Sequence, residues 1–236
     1  MSCFRETKEG VVAHMRAGKA KDGPTMKKAL KVVVTAGPTR EFIDPVRFLS
    51  NPSTGKMGFA LARAAAAAGH AVALVAGPVA LKTPKGVRRI DVTSARDMLA
   101  AVKREVAAGA DVLIATAAVA DWRPKRRATQ KLKKGEMDGT LELVRNPDIL
   151  KTVRGVRKIG FAAETRNVLR EAVRKCREKD LELIVANDVT EKGSGFGTDT
   201  NRATLVRRDG TVTRLPLLTK LALARRILKA SRILGF

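Results

Sequence analysis

The segment from Asn51 to Gly58, with the sequence NPSTGKMG, has the residue types of an anion-binding loop. It follows an apolar strand at residues 32–34 and opens an Ala-rich helix. A helix start leaves backbone N–H groups unpaired and carries partial positive charge, which favours phosphate. Gly55 and Gly58 allow the backbone to approach a ligand closely. We therefore predict phosphate binding at Gly55 and Lys56, although a solvated Lys56 fits this spacing as well.

The segment matches neither of the two common phosphate loops. A Walker A loop needs Gly five residues before Gly55 and Ser or Thr after Lys56, where this chain has Ser50 and Met57. A dinucleotide fingerprint needs further glycines directly after the strand, and Gly37 has none in register. The missing fingerprint disfavours a Rossmann-type oxidoreductase, which remains an alternative enzyme class.

Apolar runs alternate with helical patterns along the chain, and these elements must position the loop. The pattern predicts an α/β fold with a Rossmann-like, mostly parallel sheet and helices on both faces. A hairpin signal at Arg208-Asp209-Gly210 and a helix capped by Thr219 predict a C-terminal β-hairpin and helix. Residues 1–28 lack a period and are predicted to be an extension of a domain at 29–236. The predicted strands are 32–34, 72–76, 88–92, 112–118, 159–163 and 183–186, and the predicted helices are 57–68, 95–108, 150–154 and 167–179. The sequence Ser94-Ala95-Arg96-Asp97 is typical of a capping box and predicts the start of the helix at 95–108.

Small or polar residues lie at or directly after the carboxyl ends of four of these strands, at Thr35, Ala117, Glu164 and Asn187. Open parallel sheets bind ligands beyond the carboxyl ends of their strands, so these residues are expected at one site. Asp121, which follows the strand at 112–118, is either a turn cap or an acceptor for nucleotide hydroxyl or amino groups.

Three more side chains are candidates for acting on a reacting group. Asn51 is either a turn residue or an amide donor to a carbonyl or phosphoryl oxygen. Arg47 is either a surface ion-pair former or a forked donor to phosphate or carboxylate. Lys131 belongs to the stretch 123–134, which has seven basic residues and no acidic one. That stretch is either a solvated loop or a mobile flap that closes on a triphosphate.

Composition limits the function classes. The 47 Lys and Arg residues exceed the 23 Asp and Glu residues, which gives a net charge of +24 that attracts polyanions. Nucleic-acid binding is an alternative that charge alone suggests, because 3% aromatic residues and no Tyr disfavour a base-stacking surface. Two isolated cysteines predict a reducing cytoplasm, and no apolar window predicts a membrane span. With two histidines, a His-based metal site is not expected, and any Mg²⁺ is predicted to arrive on nucleotide phosphates without dedicated protein ligands.

Six sequence blocks in order resemble the phosphopantothenate–cysteine ligase family of coenzyme A synthesis. They are TAGPTREFIDPVRFLSNPSTGKMG (35–58), AAVADWRP (117–124), KLKK (131–134), RNPDIL (145–150), GFAAET (160–165) and LELIVANDV (181–189). The resemblance covers about residues 30–232. It implies a homodimer that joins 4′-phosphopantothenate to L-cysteine, with CTP in bacterial members and generally ATP in eukaryotic ones. Bacterial members are often fused to a flavin-dependent decarboxylase, and we expect this chain to be a stand-alone ligase without that domain.

The resemblance also implies roles for individual residues. Asn51 and Arg47 would handle the acyl intermediate, and Lys131 would act in both catalysis and nucleotide binding. Phe161 would otherwise be a core residue, and Lys175 and Lys179, one helical turn apart, would otherwise be solvated. The implied nucleotide contacts are Asp121, Lys131, Asn146, Pro147, Asp148, Ile149, Phe161, Lys175 and Lys179.

The expected reaction follows from charge. Transfer of CMP to the carboxylate releases pyrophosphate and gives an acyl-cytidylate, which the cysteine amine then attacks. Helix N–H groups, Mg²⁺, Lys131 and Arg47 are expected to shield the negative charge at the α-phosphate.

Overall fold

Eight strands form one sheet in the computed structural model, which describes residues 28–136, 139–188, 190–191 and 193–233. Six neighbouring strands are parallel, and two antiparallel strands complete one edge. The predicted α/β fold with a mostly parallel sheet is therefore confirmed. In spatial order the strands are β13 (Val212–Arg214), β12 (Thr204–Arg207), β10 (Leu183–Asp188), β9 (Arg157–Glu164), β6 (Val112–Ala115), β1 (Lys31–Ala36), β4 (Ala71–Ala76) and β5 (Val87–Asp91).

Helices cover both faces of the sheet, and each face has its own core. One core packs α1 (Lys56–Ala67) and α5 (Lys220–Ser231) against the strands. The other packs α2 (Ala95–Ala107), α3 (Ile149–Thr152) and α4 (Val168–Glu178). Because both faces are buried, central strands such as VVVTA in β1 are apolar without alternation.

Local capping signals predicted two helix starts correctly. The Ser94 hydroxyl accepts from the backbone N–H of Asp97, whose carboxylate accepts from Ser94 N–H, and this capping box begins α2. The Thr219 hydroxyl accepts from Ala222 N–H at 3.3 Å and begins α5. The predicted C-terminal hairpin is also present as β12 and β13.

One predicted strand is too long. The strand expected at 112–118 ends at Ala115. Beyond it, the buried side chains of Thr35 and Thr39 accept from the N–H groups of Ala117 and Ala120 at 3.2 and 3.0 Å. These hydroxyls replace strand pairing, so the chain leaves the sheet as an ordered loop.

Three small two-stranded sheets were not predicted. They pair β2 (Arg40–Phe42) with β3 (Phe48–Ser50), β7 (Trp122–Pro124) with β8 (Leu143–Arg145), and β11 (Thr200–Asn201) with β14 (Leu218–Thr219). Strands of two or three residues are too short to show the alternation that sequence analysis relies on. The β2–β3 hairpin lies between β1 and α1, so the first crossover is longer than in a dinucleotide-binding unit.

The predicted extension at 1–28 falls outside the described residues except for Lys28, so the domain division remains a prediction. Within the described part of the chain, every helix is too short or too polar to cross a bilayer.

Candidate functional site

A cavity of about 460 Å³ lies at the carboxyl edge of the parallel strands β1, β6, β9 and β10. This size suits a small-molecule site. Every predicted site residue except Arg47 and Lys131 lines this central cavity: Asn51, Gly55, Lys56, Ala117, Asp121, Asn146, Pro147, Asp148, Ile149, Phe161, Lys175 and Lys179.

The N-terminus of α1 forms one wall of the cavity. Gly55 caps the helix in the left-handed conformation, with φ 76°, and no side chain caps the helix there. Gly58 has no room for a side chain, because a Cβ would lie 2.4 Å from Ala36 Cβ and 2.6 Å from Thr116 Oγ1. Gly58 therefore serves the close packing of α1 on the strand ends, and this packing brings the uncapped amides to the cavity wall.

Asn51 connects this wall to the loop after β6. Its Nδ2 donates to the carbonyl of Ala118 at 3.0 Å, and Ala118 N–H donates to Gly37 O at 2.9 Å. Because a carbonyl oxygen can only accept a hydrogen bond, the Asn51 side-chain atom that faces Ala118 O must be the amide nitrogen. Asn51 is thus both a turn-stabilising residue and a cavity residue, so the structure is compatible with both sequence interpretations.

Asn146 organises the opposite rim. Its Nδ2 donates to Ala120 O at 2.9 Å and its N–H donates to Asp121 O at 2.8 Å. These bonds hold the loop after β6 against the turn before α3. The Asp121 side chain is exposed at the cavity edge, where it can accept from a ligand.

Lys175 on α4 and Lys179, the residue that caps the C-terminus of α4, both line the cavity, and each has a carboxylate partner. Lys175 Nζ lies 2.5 Å from Glu164 Oε1, and Lys179 Nζ lies 2.9 Å from Asp148 Oδ2. Burial acts to raise the pKa of Asp148, but the hydrogen bond and charge of Lys179 hold that pKa below its usual value. An incoming phosphate would therefore have to compete with two carboxylates.

Two candidate residues lie away from the cavity. Arg47 donates to Asp44 Oδ2 through Nε at 2.9 Å and through Nη2 at 2.6 Å, and its Nη2 also donates to Leu132 O at 2.9 Å. The Asp44 side chain is fully buried. Burial would raise the pKa of Asp44, but hydrogen bonds from Arg47, Val46 and Leu132 lower it. Arg47 thus neutralises a buried carboxylate.

The same contacts bear on the basic stretch that contains Lys131. Leu132 N–H donates to Asp44 Oδ2 at 3.3 Å, and Ala128 N–H donates to Ile43 O at 2.9 Å. Lys131 itself is exposed. The stretch is therefore bonded to the β2–β3 hairpin through two of its backbone amides, and a flap movement would have to break these bonds.

Phe161 lines the cavity and is also packed against one core, so its position is compatible with both sequence interpretations. Cys176 is buried among apolar neighbours, and burial raises the pKa of its thiol. Cys176 is therefore a packing residue rather than a nucleophile.

Sequence analysis missed one wall of the cavity. This wall consists of Gly195, Phe196, Asn201 and Lys220. The glycine-rich sequence GSGFGTDTN at 193–201 was the available signal, but its partner Lys220 is remote in sequence. Asn187, which the sequence placed at this edge, has a buried Oδ1 with no hydrogen-bond partner among the described residues, so a ligand donor would satisfy it.

Comparison with known proteins identifies the family. Residues 27–233 match the family model described as the DNA/pantothenate metabolism flavoprotein C-terminal domain. The chain belongs to this family. The resemblance to the phosphopantothenate–cysteine ligase family predicted from the sequence blocks is confirmed.

Three relatives illustrate the match. The coenzyme A biosynthesis bifunctional protein CoaBC of Bacillus subtilis is 45% identical, over 96% of this chain and 61% of that protein. CoaBC of Vibrio cholerae is 50% identical, over 82% of this chain and 50% of that protein. The crystal structure of the C-terminal domain of CoaBC superposes with a TM-score of 0.73 and 46% identity, over 87% of this chain and 96% of that domain.

These relatives correct one prediction. The chain spans only about half to three fifths of the curated relatives it matches, and their names describe bifunctional proteins. The expectation of a stand-alone ligase without a fused decarboxylase domain is therefore contradicted by these relatives, in which the matched domain is one part of a longer, bifunctional protein.

Proposed function

We propose that this domain joins 4′-phosphopantothenate to L-cysteine through an acyl-cytidylate, as a step in coenzyme A biosynthesis. One observation carries the proposal. A single cavity unites an uncapped helix start, the Asn51 amide and two lysines of α4 at the carboxyl edge of a parallel sheet. Family membership points to the same chemistry, because the matched relatives are named coenzyme A biosynthesis proteins.

The proposed reaction has two balanced steps. The substrate carboxylate attacks the α-phosphorus of CTP, the bond to the bridging oxygen breaks, and pyrophosphate leaves. The cysteine amine then attacks the acyl carbon, the bond from that carbon to the CMP oxygen breaks, and the amine loses a proton. No covalent enzyme intermediate is needed, so the protein contributes positioning and charge stabilisation.

Each wall of the cavity suits part of this task. The uncapped α1 amides are neutral donors that stabilise charge developing on a phosphoryl or acyl oxygen without a side-chain cap to displace. Asn51 Nδ2 has two N–H groups, so it can donate one to that oxygen while the other stays bonded to Ala118 O. Lys175 and Lys179 are cations that would exchange their carboxylates for the triphosphate. Asp121 is an exposed acceptor for ribose hydroxyl or base amino groups.

Magnesium enters the proposal as part of the nucleotide. Among the described residues no group of three or more His, Cys, Asp or Glu side chains is arranged to hold a metal ion. Bound to the triphosphate, Mg²⁺ would neutralise phosphate charge. The acidic side chains on the cavity do not offer it a resident site, and no step here is assigned to it.

Catalytic roles for Arg47 and Lys131 remain predictions. Neither residue lines the cavity of its own chain. A direct role requires either that the 125–134 segment leaves the β2–β3 hairpin or that a second copy of the chain supplies the side chains.

A homodimer would provide that second copy. Exposed apolar side chains cluster on the two small hairpins, with Val46 and Phe48 on or beside β2–β3 and Trp122 and Leu143 on β7–β8. Strands β2 and β7 contact each other, so these side chains belong to one region of the surface. Light scattering should give a dimer for the wild type and a monomer for Phe48→Glu. A dimeric Phe48→Glu variant would exclude this surface.

Product identification tests the proposed function. The protein is incubated with 4′-phosphopantothenate, L-cysteine, Mg²⁺ and either CTP or ATP, and products are identified by mass spectrometry. We expect phosphopantothenoylcysteine with CMP and pyrophosphate, and a higher kcat/KM with CTP than with ATP. Formation of CDP and phosphate would refute the cytidylate route while leaving the ligase activity intact. Absence of the amide product with both nucleotides would refute the proposed function. We also propose that the enzyme acts in the cytoplasm.

A further inference from the structure

Two lysines meet at the end of the central cavity that sequence analysis missed. Lys56 is the first residue of α1 and Lys220 is the first residue of α5. The two helices pack against each other, and both lysines line the cavity. Each helix start adds partial positive charge, so four sources of positive potential converge here.

Lys220 is the unusual member of this cluster. It is only 8% exposed, and its Nζ donates to Gly195 O at a long 3.3 Å. This carbonyl is the one acceptor for the ammonium within the described residues, although an ammonium has three donors. Burial lowers the pKa of Lys220, and the neighbouring charge of Lys56 lowers that pKa further. A buried cation with so few partners is costly unless something else compensates it.

The resident counter-charge is weak. Asp199 Oδ1 accepts from Lys56 Nζ at 2.6 Å, but the Asp199 side chain is 86% exposed. An exposed carboxylate is well solvated and stabilises its partner little. Asp199 also lies next to Lys220, because its backbone carbonyl accepts from Lys220 N–H at 3.0 Å. The negative charge of Asp199 acts to raise the pKa of Lys220, against the effects of burial and of Lys56. One solvated carboxylate therefore opposes two cations and two helix starts.

A purely structural role is the simpler alternative. Lys56 donates to Gly197 O at 3.2 Å and Lys220 donates to Gly195 O, so both could hold the glycine-rich turn in place. A neutral donor would provide such bonds to carbonyl groups without the cost of burying a charge. The structural role explains the contacts and leaves the surplus positive charge unexplained.

We propose that Lys220, together with Lys56 and the uncapped amides at the start of α1, forms a phosphate subsite at this end of the cavity. The exposed Asp199 carboxylate gives up its ion pair with Lys56 when a phosphate group binds. This subsite is separate from the Lys175 and Lys179 wall, where the carboxylate partner of each cation is much less exposed than Asp199. The inference rests on the proposed function only for the source of the phosphate, which is either the nucleotide triphosphate or the phosphomonoester of the acyl substrate.

Binding of an inorganic probe tests the subsite without turnover. Tripolyphosphate is titrated by calorimetry into the wild type, Lys220→Met, Asp199→Asn and Lys229→Met, at one fixed salt concentration. We expect Lys220→Met to raise Kd about tenfold to a hundredfold, as for the loss of a hydrogen bond to a charged group. Asp199→Asn should lower Kd about two- to fivefold, because it removes an exposed competitor. Lys229→Met loses the same charge from an exposed site on α5 and should stay within about twofold, because salt screens that charge.

The opposite changes in Kd expected for Lys220→Met and Asp199→Asn distinguish the phosphate subsite from a purely structural role. A folded Lys220→Met variant with wild-type Kd would overturn the subsite, as would absence of tripolyphosphate binding to the wild type. If Lys220→Met does not fold, Asp199→Asn decides, since unchanged or weaker binding contradicts displacement of a resident carboxylate.

A second titration assigns the source, with CTP in one arm and 4′-phosphopantothenate in the other. The ligand that Lys220→Met binds more weakly than the wild type is the one whose phosphate binds there. If Lys220→Met binds both CTP and 4′-phosphopantothenate with wild-type affinity, the role in substrate binding is overturned. If the wild type makes no amide product but binds tripolyphosphate through Lys220, the proposed function fails and the subsite stands.

Discussion

Replacing Asn51 by Ala separates a structural role from a catalytic one. In the structure the substitution removes one hydrogen bond, from Nδ2 to Ala118 O at 3.0 Å. A single neutral hydrogen bond contributes about 0.5–1.5 kcal/mol to the free energy of unfolding. For a chain of this size we expect the Tm to fall by about 1–6 °C. If the same amide also donates to the reacting group, kcat should fall about 10²–10³-fold, which corresponds to about 2.7–4 kcal/mol.

The neighbouring Ser50 provides a matched control. Its Oγ donates to Thr39 O at 2.8 Å, so Ser50→Ala also removes one bond from a side chain to a backbone carbonyl in the same strand and loop. Ser50 does not line the central cavity. Both variants should lose similar stability, and only Asn51→Ala should lose turnover.

The assays are thermal melting and steady-state formation of phosphopantothenoylcysteine, both at a temperature where all variants are folded. If Asn51→Ala melts like Ser50→Ala and turns over within about threefold of the wild type, the catalytic role is refuted, because losing a donor to the reacting group costs far more than that. Asn51 would then be a turn residue. A large loss of kcat in Ser50→Ala would show instead that the loop geometry is responsible.

The remaining predictions concern the helix start, the α4 wall and the buried carboxylate. Gly58→Ala should lower the Tm, because the new Cβ would lie 2.4 Å from the Cβ of Ala36 in β1. Overpacking costs about 1–3 kcal/mol and should exceed the gain of about 1 kcal/mol in helix propensity. The control variant Gly135→Ala places its Cβ where nothing lies within 4 Å, so it should melt like the wild type. Lys175→Ala should raise the KM for nucleotide much more than it lowers kcat, and a loss in kcat alone would contradict a binding role. Asp44→Asn should speed hydrogen exchange at the Leu132 amide, whose acceptor it alters; unchanged exchange would mean that this contact does not order the basic stretch. The pKa of Asp44 in the folded protein lies below its value in the unfolded chain. The ionised carboxylate therefore stabilises the fold above the unfolded pKa, and this stabilisation is lost as the pH falls. Between about pH 5 and pH 3 the wild type should thus lose more stability than Asp44→Asn, which has no such carboxylate.

Patterns confined to short stretches of sequence were predictive in this chain. The apolar run of β1, the capping box at Ser94 and the cap at Thr219 each involve residues close in sequence, and each formed as expected. The α/β fold followed from their alternation, because parallel strands need covering helices. The ordered motif blocks were specific enough to give the family.

Contacts between remote residues were decided by the tertiary structure alone. Asn51 meets Ala118, 67 residues away, and Arg47 meets Leu132, 85 residues away. Sheet order and helix packing set such pairings, and neither leaves a mark in local sequence periodicity.

The same limit explains the wall of the cavity that was missed. Lys220 begins a helix that reads as an ordinary basic C-terminal segment, and its place beside Lys56 depends on α5 packing against α1. The sequence therefore determined which elements form, which residues follow the strands and which family the chain belongs to. The three-dimensional packing decided which charges are paired, because the electrostatic environment of a side chain depends on neighbours that only the folded chain brings together.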